Sequence, residues 1–177
     1  WLSRHLLPIL MHATLLAAAG GWATSASADT VYLEPRQFLD EVFGQTPEPQ
    51  VLWLTPQIQQ QVVQVLEHPY RQARVRYWRD HDTVVWILEE IGKEYPITAG
   101  FVVKAGKLAR ARVLIYRESR GGEVQQRGFV RQFEGAGLSS GRLDRKIDGI
   151  TGATMSVDAM QRMAALALVL TGQLPAP

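Results

Sequence analysis

Apolar residues change their spacing twice along the chain, and the changes mark out three stretches. In Pro35–Phe43 (PRQFLDEVF), Phe38, Leu39, Val42 and Phe43 recur at helical spacing until Gly44 and Thr46-Pro47-Glu48-Pro49 end the pattern. Thr55 followed by Pro56 predicts a second, capped helix, with Ile58, Val62, Val63, Val65 and Leu66 along one side as far as His68-Pro69. Over 73–116 the period falls to two. Val75 and Tyr77 alternate with Arg74 and Arg76, and TVVWIL, ITAGFVV and ARARVLIY follow, which predicts four strands in a row. The short connections Asp80-His81-Asp82 and Ala105-Gly106 favour antiparallel hairpins over crossovers. Beyond Gly121-Gly122, the spacing predicts a short helix over 124–133 and a loop over 135–141. Residues 156–170 (SVDAMQRMAALALVL) are apolar on most sides, as expected of a closing helix packed on the sheet. With no repeat or linker to divide it, the chain reads as one α+β domain, an antiparallel sheet with packed helices.

The leading residues have a different character. Arg4 and His5 precede an apolar stretch over 6–19, and Ala26-Ser27-Ala28 has the small-x-small form of a signal-peptidase site. This predicts a signal peptide over 1–28, a mature domain over 29–177 beginning at Asp29, and export to the periplasm. An uncleaved anchor that would keep the protein at the membrane is the alternative, although the apolar run falls short of the roughly 20 residues a bilayer span requires. Composition narrows the function classes. Hydrophobic residues make up 46% and charged residues 20% of the chain, which excludes a disordered chain and a polytopic membrane protein. The 19 Lys and Arg against 17 Asp and Glu leave a net charge of +2, too small to draw in nucleic acid by bulk attraction. The absence of cysteine excludes disulfides, thiolate metal sites, iron–sulfur clusters and cysteine nucleophiles, so any redox chemistry has to come from elsewhere.

The segment richest in chemistry is Asp148-Gly149-Ile150-Thr151-Gly152-Ala153-Thr154-Met155-Ser156, between the loop and the closing helix. Its small residues let a bulky group approach the backbone, and Ser156 reads as the cap of a helix whose free amides favour an anion. A phosphate beside Thr154 would be well placed, and a plain capped turn fits the same residues; spacing alone does not choose between them. DGITGATMS resembles the flavinylation motif D-x-x-[ST]-G-A-T of the FMN-binding domain family. That family includes the C subunit of the sodium-translocating NADH:quinone oxidoreductase, the G subunit of the Rnf complex and small exported stand-alone domains. A second stretch adds to the likeness. Where the family has a strand running into an H-x-E-T-P-G-x-G-like loop and then Q-F-x-G, this chain has Tyr116-Arg117-Glu118-Ser119-Arg120-Gly121-Gly122, Phe129 and Gln132-Phe133-Glu134-Gly135. Tyr116, Ser119 and Arg120 depart from the pattern. The resemblance is strongest over 83–170.

The resemblance implies FMN joined through a phosphoester to Thr154 by a flavin transferase that uses FAD as donor. Asp148 and Thr151 would belong to the recognised motif, and Gly152 and Ala153 would allow the close approach. Glu118, Ser119, Met155 and Ser156 would lie beside the cofactor. The implied role is transfer of electrons between a membrane donor and a periplasmic acceptor, more a carrier with a redox partner protein than an enzyme with its own substrate. A non-flavinylated binding domain of the same fold, or a small flavin-dependent periplasmic reductase, are the alternatives.

Outside the motif, bland readings prevail. Asp80-His81-Asp82 reads as a solvated turn before a metal site, Arg71, Arg74, Arg76 and Arg79 as the solvated face of an edge strand, and Trp53, Trp78 and Trp86 as core or sheet residues. Met160 and Met163 read as core, and Ser139 and Ser140 lack the surroundings of a hydrolase nucleophile.

Overall fold

The computed structural model describes residues 29–176; the expected signal peptide over 1–28 lies outside them. In chain order the elements are β1 (Thr30–Val31), α1 (Pro35–Phe43), β2 (Gln50–Trp53), α2 (Pro56–Leu66), β3 (Arg74–Asp80), β4 (Thr83–Ile91), β5 (Pro96–Lys104), β6 (Lys107–Tyr116), α3 (Arg127–Val130), β7 (Leu138–Ser139), β8 (Arg142–Leu143) and α4 (Thr154–Gly172). The six larger-sheet strands run in the order β1-β6-β5-β4-β3-β2, every neighbouring pair antiparallel. The four strands read from the alternating pattern are its centre, joined by the two expected hairpins. Ala105 (φ +48°) and Gly106 (φ +71°) form a tight two-residue turn with both residues left-handed.

Helix ends follow local chemistry. Pro35 opens α1, and Thr55 Oγ1 accepts a hydrogen bond from the Ile58 amide at 3.3 Å to open α2. The sheet then buries two unequal faces. On one side α2 and α4 cover Val84, Trp86, Phe101, Val103 and Leu108, the main core. On the other, Phe38 and Leu39 of α1 meet Val85, Val102 and Leu114. Gly100 makes the second contact possible, because a Cβ there would lie 2.3 Å from the Phe38 ring.

Several expectations change. The helix expected over 124–133 is broken into a 3₁₀ turn (Gly122–Gln125), α3 and a second 3₁₀ turn (Arg131–Phe133), each too short to sustain a helical stripe. The loop over 135–141 contains β7, which pairs with β8. The arginine-bearing strand β3 is not an edge, because β2 pairs outside it. Trp86 is fully buried and donates its indole N–H to Thr171 Oγ1 at 2.8 Å, whereas Trp53 is 62% exposed with the Arg74 guanidinium 5.4 Å from its ring centroid. His81 Nδ1 lies 2.8 Å from Asp80 Oδ1. Among the described residues, no helix is long and apolar enough to cross a membrane.

Candidate functional site

The loop that leaves β6 is held at both ends. Buried Tyr116, standing where the family pattern has histidine, donates its hydroxyl to the Arg120 carbonyl and lies 2.8 Å from Ser156 Oγ on α4. Burial pushes its phenol above the ordinary value, so the hydroxyl keeps its proton. Glu118 Oε1 accepts the backbone amides of Lys93, Glu94 and Tyr95 at 2.5, 2.6 and 2.9 Å, tying the loop to the β4–β5 turn. Burial acts to raise the Glu118 pKa, but the three amides outweigh it and hold the carboxyl below its usual range. Gly121 then turns the chain with φ +86°, and a Cβ there would lie 2.8 Å from the Tyr116 hydroxyl, 3.0 Å from Ser156 Oγ and 3.2 Å from Ala153 Cβ. The loop thus rests directly on the start of α4.

The Gly/Thr segment lies on the other side of that contact. The Asp148 amide donates to Gln132 Oε1 at 2.7 Å, which fastens the segment to the Gln132-Phe133-Glu134-Gly135 turn, and the Ala153 amide donates to the Ile150 carbonyl at 3.0 Å. Gly152 takes φ +80° between them. Ser156 is not the cap expected from the sequence. The helix starts two residues earlier, at Thr154, and Ser156 sits buried inside the first turn with its hydroxyl given to Tyr116. Ala153 occupies the cap position and has no side-chain acceptor, so the first amides of α4 have no side-chain cap, and no acidic residue stands in the first turn. Thr154 and Met155 are exposed, Asp148 and Thr151 likewise, while Ala153 is buried. An added Cβ at Gly149 or Gly152 would meet nothing within 4 Å.

These residues fit a phosphate-bearing group. The start of a 19-residue helix with no side-chain cap, where the helix dipole is positive, stands beside exposed Thr154, and added Cβ atoms at Gly149 and Gly152 would meet nothing within 4 Å. The structure brings Gly152, Ala153, Thr154, Met155 and Ser156 together with Tyr116, Arg120 and Gly121. It engages the Glu118 carboxylate at the β4–β5 turn, so Glu118 acts here as a brace, and it leaves Ser119 exposed on the loop. Tyr116 and Gln132 fall in the stretch compared with the family pattern, but their bracing contacts, 40 and 16 positions away, are not legible from it.

A second ionisable cluster lies under α4. Buried Glu90 meets His68 Nε2 at 2.8 Å and Arg162 Nη2 at 3.4 Å, joining the end of α2, β4 and α4. The Pro69 carbonyl, then the Glu90 carboxylate, raise the His68 pKa above its ordinary value, burial working against them.

The antiparallel α+β domain thus presents a helix start with no side-chain cap beside an exposed threonine, an arrangement compatible with a phosphate-bearing group. More specifically, residues 92–169, from the β4–β5 turn through most of α4, match the family model described as FMN-binding domain, which supports an FMN-binding domain in this part of the chain. The match is to the family as a whole and singles out none of its members. No curated protein and no solved structure matches the chain.

Proposed function

We propose that the protein is an exported flavoprotein with FMN joined covalently to Thr154, carrying electrons between a membrane donor and a periplasmic acceptor. The observation that carries this reading is the exposed Thr154 hydroxyl at the uncapped start of α4, inside the segment that matches the FMN-binding family. In the attachment step the Thr154 hydroxyl loses its proton and forms a P–O bond to the flavin-side phosphate of FAD. The pyrophosphate bond breaks and AMP leaves, with a separate flavin transferase as catalyst. Asp148 and Thr151, exposed on the same segment, are the groups that the transferase would read.

The chain's own residues would hold the phosphate. The first amides of α4, which no side chain caps, would complement its charge, and the open space beside Gly149 and Gly152 would leave it room. Gly121 and Tyr116 brace the loop that leaves β6 against Ser156 at the start of that helix. Flavin supplies one- and two-electron chemistry when bound, which a chain without cysteine does not supply through thiols. A tether suits an exported carrier, because a ligand made in the cytoplasm would otherwise be lost by dilution. The test is flavin fluorescence in a denaturing gel after co-production with a flavin transferase. The wild-type band fluoresces and the Thr154→Ala band does not; equal fluorescence in both would remove Thr154 from the role.

A further inference from the structure

On the flank of the sheet, β6 and α3 enclose a cleft of about 670 Å³ that takes in Tyr32, Arg110, Arg112, Arg127, Arg131 and Glu134. Its volume lies within the roughly 300–1,000 Å³ of small-ligand sites. Arg110 is already neutralised, with Nη2 2.6 Å from Glu41 Oε2 and the guanidinium over the Phe38 ring. Among the described residues, the side chains of Arg112, Arg127 and Arg131 make no ion pair, hydrogen bond or ring contact. Among the described residues, Glu134 is the one carboxylate lining the cleft. Arg127 and Arg131 stand one helical turn apart, where like charges repel, and Arg112 comes to the same space from β6.

Three unpartnered guanidiniums around one concavity leave uncompensated positive charge, and a bound anion offsets it. Guanidinium forks fit the paired oxygens of phosphate and carboxylate better than a point charge would. We infer that this cleft binds a small ligand carrying at least two phosphate or carboxylate groups. The site uses no residue of the Asp148-to-Ser156 segment and stands whether or not flavin is attached there.

Titration calorimetry of the purified protein at about 0.1 M salt, with pyrophosphate and with citrate as probes, tests the inference. Saturable one-to-one binding of at least one probe is expected. Pyrophosphate alone would assign a phosphate ligand, and citrate alone a carboxylate ligand. Arg127→Gln and Arg131→Gln should each weaken binding about tenfold, the loss of one charge-assisted contact, while Arg71→Gln, just before β3 and outside the cleft lining, leaves it unchanged. Both cleft arginines are exposed, and unchanged far-ultraviolet dichroism of the variants confirms their folding. The inference is overturned if neither probe gives saturable heat up to about 1 mM, or if the folded Arg127→Gln/Arg131→Gln double variant binds as the wild type does.

Discussion

Two loops meet at the start of α4, and they are built in opposite ways. The loop leaving β6 is wired at every turn: Tyr116 reaches the Arg120 carbonyl and Ser156, and Glu118 gathers three backbone amides. The loop entering α4 has its Asp148 and Ala153 amides bonded, then presents Thr151, Gly152 and Thr154 to solvent with no side-chain cap on the helix. The difference teaches a division of labour. One loop commits its polar groups to internal hydrogen bonds, and the other leaves Thr151 and Thr154 exposed, as the proposed attachment of FMN requires.

The sharpest way to break the comparison is to alter one residue on each side. Thr154→Ala should abolish covalent flavin while changing unfolding free energy by less than about 0.5 kcal/mol, because the exposed side chain makes no hydrogen bond among the described residues. Glu118→Ala should do the reverse. It should cost about 2 kcal/mol in denaturant unfolding, through the loss of charge-assisted bonds to the β4–β5 turn, and leave attachment at Thr154 possible. Ser156→Ala should cost about 1 kcal/mol, since Tyr116 keeps its bond to the Arg120 carbonyl.

Acidity separates the regions more gently. The Glu118 pKa is depressed in the fold, so its contribution is present above its ordinary value near 4.5 and is lost as pH falls through the lower folded value. Thermal unfolding of wild type should therefore approach that of Glu118→Gln in strong acid. His68 has the opposite sign: its pKa is raised from 6.5, so its stabilisation is complete below that value and disappears as pH rises through the folded one. The gap in melting temperature between wild type and His68→Gln should shrink on going alkaline. The smallest effect serves as a control. Ala105→Asn should stabilise the left-handed turn by about 0.5 kcal/mol, because Asn-Gly suits it better than Ala-Gly, and flavin loading should not change.

Much of this was legible in the residues. Alternation over 73–116 and the hairpin dipeptides set out the central strands, and Thr55-Pro56 set the start of α2. The segment around Thr154 stood out through its likeness to the family motif, since the cluster of Gly, Ala and Thr before an apolar helix fits a plain capped turn equally well. What escaped was decided by tertiary contact. The two residues of β1 and the four of β2 are too short to show a period, and they exist because β6 and β3 offer free edges. Ser156 looked like a cap because serine usually is one. Its hydroxyl instead satisfies Tyr116, a partner 40 positions away that no local pattern reveals. Glu118 matched the family loop by position, yet its carboxylate is engaged with amides that precede β5.

The most direct measurement is the intact mass of the protein after co-production with a flavin transferase, followed by peptide mapping. A gain equal to FMN less one water, located on the peptide that contains Thr154, is the predicted result. An unmodified mass under conditions that load a control flavoprotein, or a gain located on a peptide without Thr154, would contradict it.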